Sequence, residues 1–111
     1  MTSIDDKFGP LRKGLMELAV LKVISGKKVY VAEILKKLAA TDFSTGEGTL
    51  YPLLSRLRRE QLVDYKWVES EAGPPRKYYS LTETGKAQLG ALEAYWHELN
   101  ETIAKLGAHH E

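Results

Sequence analysis

Thr49, Pro52 and Ser55 recur every third residue, and Arg56 and Arg59, themselves three apart, lie beside them. On a helix, at ~100° per residue, these five side chains share one face. Guanidinium forks on such a face reach guanine edges or phosphates, and small hydroxyl residues let a helix lie close to a duplex groove. The face therefore suits the major groove of DNA, although the same composition also describes an ordinary solvated helix surface. Tyr51, at the edge of the face, either offers a hydroxyl to a phosphate or completes the rim of a core.

Chemistry of other kinds finds little support. The chain has no Gly-rich phosphate loop, no His-Glu-x-x-His and no Ser/His/Asp set in a suitable context. It contains no cysteine, which removes disulfides, thiolate metal sites and a cysteine nucleophile. The three histidines are His97, on the last helix, and the adjacent His109 and His110, a terminal pair that reads as a solvated tail rather than ligands. No catalytic residue, metal or cofactor is expected, and the chain does not read as an enzyme.

The elements that must position the basic face are legible in the apolar spacing. Leu50, Leu54 and Leu57, bordered by Leu53, form the buried stripe opposite it. Ser44 and Glu47 have capping-box spacing, while Gly46 serves equally well as the cap. Pro52 lies inside this helix and predicts a local kink or a later start. Before it, Leu11 to Ile24 reads as one helix apolar on two sides, weakened at Gly14 and ended by Ser25-Gly26. Val29 and Val31 suggest a short strand-like entry to a helix from Val31 to Ala40, which buries Ile34, Leu35 and Leu38 and leaves Lys36 and Lys37 in solvent.

After the basic helix, residues 63–68 and 77–81 are rich in Val, Tyr and Trp and flank Glu-Ser-Glu-Ala-Gly-Pro-Pro-Arg, a loop with a basic end. A hairpin in this position makes a wing, through which Arg76 and Lys77 reach the DNA backbone or minor groove. Tyr78 and Tyr79 alternate across it, one inward and one exposed. Thr82 caps a final helix from Glu83 to Leu106. Along that helix Leu89, Leu92, Trp96, Leu99, Ile103 and Leu106 alternate spacings of three and four, the seam of a coiled-coil-like contact. The seam packs either on the protomer's own first helix or, as expected here, on a second copy. The reading is mainly α (α+β): a winged helix-turn-helix over residues 1–82 and a dimerisation helix and tail over 83–111.

The chain has 111 residues, with 28% charged and 43% hydrophobic, values ordinary for one folded domain of a size at which a second subunit often completes the core. Its net charge of +1 hides an asymmetry. Residues 1–86 carry 15 basic and 11 acidic side chains, net +4, and residues 87–111 carry one and four, net −3. The basic excess lies where DNA would bind, and its modest size favours two-fold repetition. No apolar run approaches the ~18 residues of a membrane span, and the N-terminus is unlike a secretory signal, so no membrane partner and a cytoplasmic location are expected.

Three segments together resemble the PadR family of bacterial transcriptional regulators: the apolar helix at 11–24, Gly-Thr-Leu-Tyr-Pro-Leu-Leu-Ser-Arg-Leu at 48–57, and Arg-Lys-Tyr-Tyr-Ser-Leu-Thr-Glu-Thr-Gly at 76–85. The resemblance covers about residues 10–106 and is to the smaller members, with a single C-terminal helix. It implies a homodimeric winged-helix repressor that binds a pseudo-palindromic operator and is released by a small molecule. Trp96 looks like the position from which multidrug-binding members supply an indole to a cavity at the dimer centre, so Trp96 and Tyr95 are expected to hold a planar aromatic effector. Plain core packing is the other reading of Trp96. Two departures stand out: Tyr30-Val31-Ala32 replaces a His-Gly-Tyr-like sequence, and Gln61 stands where members carry Gly, so the basic helix is expected to end differently. A winged helix used only for protein contact is the competing reading.

Overall fold

The computed structural model describes residues 4–108. Its elements are α1 (Ile4–Gly14), α2 (Met16–Ser25), α3 (Val31–Ala39), α4 (Glu47–Arg59), β1 (Val63–Ser70), β2 (Gly73–Leu81) and α5 (Glu83–Leu106). The stretch expected as one helix from Leu11 to Ile24 is thus two, beginning earlier and interrupted at Leu15. Gly14 is the physical cause, since glycine loses the most backbone freedom in a helix interior and destabilises it. The interruption is slight: the Leu15 amide still donates to Leu11 and Arg12 carbonyls, each at 3.1 Å.

The core forms where three helices and the base of the hairpin meet. Val20, Leu21 and Ile24 of α2, Ile34 and Leu38 of α3, and Leu50, Leu54 and Leu57 of α4 are all buried in one cluster. Val63 and Tyr79 close it from the hairpin, and Leu89 from α5. Each fully buried Leu or Ile contributes about 1.5–3 kcal/mol. Val29 pairs with Tyr79 as an isolated antiparallel bridge, which ties the α2–α3 connection to the wing. No helix among the described residues is long and apolar enough to cross a membrane.

Helix α4 starts at Glu47 with Gly46 as its cap residue and runs through Pro52 to Arg59. The expected later start is not seen. Proline at this position removes one donor and crowds the carbonyl four residues back, which belongs to the exposed Gly48, where water can satisfy the oxygen. At the other end Gln61 takes φ 64°, the only described non-glycine residue with positive φ. The Leu62 amide donates to the Leu57 carbonyl and the Gln61 amide to that of Arg58, both at 2.9 Å. This is a Schellman ending, completed by the buried pair Leu57 and Leu62. The helix therefore ends as it would with glycine, and Gln61 bears the strain.

The hairpin is longer than its composition suggests. Strands β1 and β2 pair from Val63↔Leu81 through Val68↔Arg76 to Ser70↔Gly73, so the expected eight-residue loop shrinks to Glu71-Ala72. Pro74 and Pro75 are tolerated because in a two-stranded sheet both strands are edges. Tyr79 points into the core, but Tyr78 is half-buried rather than exposed, its ring 5.3 Å from that of Tyr30.

Thr82 joins these elements to α5. Its hydroxyl accepts the Gly85 amide at 2.9 Å, capping the helix as expected, and donates to the Gln61 carbonyl at 2.6 Å. Gly85 passes so close that an added Cβ would stand 1.9 Å from the Leu62 carbonyl oxygen. Beyond this junction α5 packs on α2 through Leu89 and Leu92, runs past Leu11 and Leu18 as far as Leu99, and then extends beyond them.

Two substitutions test this ending. Gln61→Gly relieves the left-handed backbone and is expected to raise unfolding free energy by about 1 kcal/mol in urea titration at fixed protein concentration. Gly85→Ala forces Cβ into backbone and is expected to lower it by about 3 kcal/mol or more. An unchanged midpoint for Gly85→Ala would show that α5 does not cross Leu62 this closely.

Candidate nucleic-acid interface

The outer face of α4 is open. Thr49, Tyr51, Pro52, Ser55 and Arg59 are all exposed, opposite the buried Leu50, Leu54 and Leu57. Arg56 is not free on this face as expected. Its guanidinium spans Glu17 of α2 and Glu60 of its own helix, each at 3.0 Å. The hydrogen bond to Glu17, then that to Glu60, raises its pKa further above the ordinary arginine value. Arg56 lies toward the α2 flank of the helix, where an acid is waiting, and helix projection could not show that acid.

The opposite flank turns to the wing. Arg58, which sequence spacing did not single out, donates to Asp64 at 3.3 Å and stacks 4.5 Å from the centre of the Tyr65 ring. The Tyr65 amide and then Arg58 hold the Asp64 carboxyl below the usual carboxylate range. Lys77 reaches the same ring, its Nζ 4.4 Å from the centroid, and lies 5.4 Å from that of Trp67. Burial pushes the Tyr79 phenol upward, so it remains a neutral floor to this side of the wing.

Two clefts result. One, of about 660 Å³, lies between the C-terminal half of α4 and the hairpin and is lined by Ser55, Arg58, Arg59, Tyr65 and Lys77 among others. The second, of about 380 Å³, lies between the starts of α3 and α4 and the wing, with Tyr30, Tyr51, Trp67, Arg76 and Lys77 in its walls. Arg76 belongs to β2, not to a loop, and its guanidinium lies 4.4 Å over the Tyr30 ring. Of the residues expected to meet DNA, Tyr51, Ser55, Arg59, Arg76 and Lys77 thus line clefts that share Lys77. Thr49 and Pro52 stay on the open helix surface outside both. Arg59, Arg76 and Lys77 have no carboxylate within ion-pair distance among the described residues. Tyr30, Tyr65 and Trp67, which support the cations, were missed because only the hairpin register brings them under Lys77 and Arg76.

The seam of α5 divides. Leu89, expected at a dimer contact, is 7% exposed in the protomer's own core, and Leu92 packs partly against that core. Beyond Leu92 the cover thins along the helix, from Trp96 and Leu99 at 37% and 36% exposed to Ile103 at 67% and Leu106 at 80%. Trp96 stands between two apolar clefts. One, of about 460 Å³, has Leu11, Leu18, Tyr95 and Leu99 in its walls, and the other, of about 310 Å³, has Leu18, Phe43 and His97. No group of three or more His, Cys, Asp or Glu able to hold a metal occurs among the described residues, and His109 and His110 lie outside them.

Comparison with known proteins gives this arrangement a family. The model of the PadR-like family of transcriptional regulators matches residues 20–91, from the core of α2 through the wing into α5. A PadR-like transcription factor from Bacteroides fragilis is 45% identical, with 93% of this chain and all of that one covered and a TM-score of 0.79. A PadR-like transcriptional regulator from Bacillus cereus is 34% identical over 91% of this chain and 99% of its own, at a TM-score of 0.80. An uncharacterised protein of Lysinibacillus sphaericus is 31% identical over 94 residues, 82% of this chain and 86% of that one. The basic cleft between α4 and the wing, the fold that builds it and these likenesses agree: the chain belongs to the PadR-like family of transcriptional regulators.

Proposed function

We propose that the protein is a homodimeric repressor that binds a pseudo-palindromic operator and is released from it by a planar aromatic molecule. The observation that carries the DNA-binding part is the set of cations without a carboxylate partner among the described residues, Arg59, Arg76 and Lys77, lining adjoining clefts beside α4 and the wing. In this reading α4 enters the major groove with Thr49, Pro52, Ser55 and Arg59 at base edges or phosphates. Arg76 and Lys77 of the wing meet the adjacent backbone. Their stacking on Tyr30, Tyr65 and Trp67 holds them in place before DNA arrives, which lowers the ordering cost of each contact. Arg56 acts at one remove, by fixing the angle of α4 against α2 through Glu17.

Residues 1–82 form the reading unit and residues 83–111 the dimerisation unit. A second copy is the natural cover for Trp96, Leu99, Ile103 and Leu106, a continuous apolar face on one helix. Two-fold pairing places the two α4 helices about one duplex turn apart, roughly 34 Å, or a multiple of it. It also brings two indoles near one axis, where a planar aromatic molecule gains burial on both faces. Such a ligand shifts the DNA equilibrium only through its differential affinity for the two subunit spacings.

Titration of random-sequence duplex at low salt, followed by operator selection, tests the reading. Binding and a symmetric motif are expected, and no binding would favour a protein-contact module. Arg59→Ala is expected to weaken operator binding about tenfold or more, and loss of discrimination would mark a base contact. Lys77→Ala or Arg76→Ala is expected to reduce the salt slope by about one per protomer. Arg56→Ala is expected to cost less than about 1 kcal/mol of stability and to act on DNA only modestly. For the effector, planar aromatic compounds are expected to quench Trp96, with Trp67→Phe as the background. Trp96→Ala is expected to lose this binding while remaining dimeric; unchanged affinity removes the effector site, and dissociation to monomers assigns Trp96 to packing.

A further inference from the structure

Between the last turns of α2, the loop that follows and α3 lies an open groove of about 920 Å³ that the interface above does not use. Val23 and Val29 contribute its apolar surface, and Lys22, Lys27, Lys36 and Lys37 stand around it. Lys22 is held by Glu93 of α5. Lys27, Lys36 and Lys37 are exposed and have no carboxylate within ion-pair distance among the described residues. Glu33 also lines the groove, but its carboxylate is engaged by the Tyr30 amide at 3.1 Å.

The groove is continuous with the candidate interface. Tyr30 and Ala32 line both it and the wing cleft, just as Lys77 lines both the wing cleft and the α4 cleft. The three clefts therefore adjoin one another and carry Arg59, Lys77, Arg76, Lys27, Lys36 and Lys37, with the carboxylates of Glu47 and Glu33 also among their walls. Lys36 and Lys37 lie in the last turn of α3, where they complement the helix dipole, but the dipole explains neither Lys27 nor the continuity with the wing. A duplex, with one negative charge per ~1.7 Å of axis, is a partner long enough to meet cations spread over all three clefts.

We propose that this lysine groove holds the DNA phosphate backbone beyond the wing, so that each protomer grips a flank outside the half-site that α4 reads. The inference rests on the DNA-binding reading above and extends its footprint. Lysine ammonium groups on flexible stems act as point charges on phosphate and carry no base readout, so the contribution is independent of flank sequence. It compensates for the small net charge by spreading contacts along one track.

The test compares two duplexes: the selected operator trimmed to its half-sites, and the same operator with about ten base pairs, one helical turn, of arbitrary sequence added at each end. Wild type is expected to bind the extended duplex about tenfold more tightly at low salt, a difference that vanishes as salt rises. The triple variant Lys27→Gln, Lys36→Gln, Lys37→Gln is expected to bind the trimmed duplex as wild type does and to lose the gain from the flanks. Its salt slope on the extended duplex is expected to fall by about two to three per protomer. The triple Lys→Arg variant should keep the gain. Unfolding midpoints of the variants exclude a merely structural effect through α3. Equal affinity of wild type for the two duplexes overturns the proposal and leaves the DNA reading intact, as does equal weakening of the triple Gln variant on both. Absence of binding to either duplex overturns the DNA reading itself.

Discussion

The end of α4, the start of β1 and the start of α5 meet within van der Waals distance at Leu62, and the rest of the molecule depends on that contact. Thr82 bonds to Gln61 and caps α5, the Leu62 carbonyl accepts the Thr82 amide at 3.1 Å, and Gly85 has no room for a Cβ over Leu62. These bonds leave little freedom in the angle between α4 and α5. If α5 sets the spacing of two subunits, the same junction sets the spacing of the two α4 helices. A ligand beside Trp96 would then act on DNA binding by altering helix packing, without reaching α4.

The acceptance of a left-handed Gln61 is understandable in this light. A non-glycine residue there costs about 1–2 kcal/mol. The bonds around it hold it in place: the Leu62 and Gln61 amides donate to the Leu57 and Arg58 carbonyls in the last turn of α4, Leu62 is buried, and the Thr82 hydroxyl donates to the Gln61 carbonyl. Strain of this size is small beside the burial of Leu57, Leu62 and Val63.

Much of the fold was legible because apolar periodicity reports burial directly. The bounds of α5 follow from Thr82 and the unbroken spacing of Leu89 to Leu106, and the α4 stripe follows from Leu50, Leu54 and Leu57. What was not legible depended on neighbours distant in sequence. Arg56 and Arg59 look alike on a helical wheel, yet Glu17, 39 residues before Arg56, binds one and leaves the other open. Arg58 carries no signal in the spacing because its flank gains meaning only when the hairpin folds back beside it. The sequence overstates the wing loop because Pro74 and Pro75 argue for a loop, and only the edge position of both strands lets them sit within β2. Leu89 reads as a partner contact from spacing alone because periodicity does not distinguish burial against the same chain from burial against a second copy.

Hydroxyl-radical footprinting of the selected operator tests the central claim most directly. The account predicts two protected tracts on each strand, related by a two-fold axis and separated by about one helical turn or a multiple of it. A single asymmetric tract, or protection that survives Arg59→Ala combined with Lys77→Ala, would contradict it.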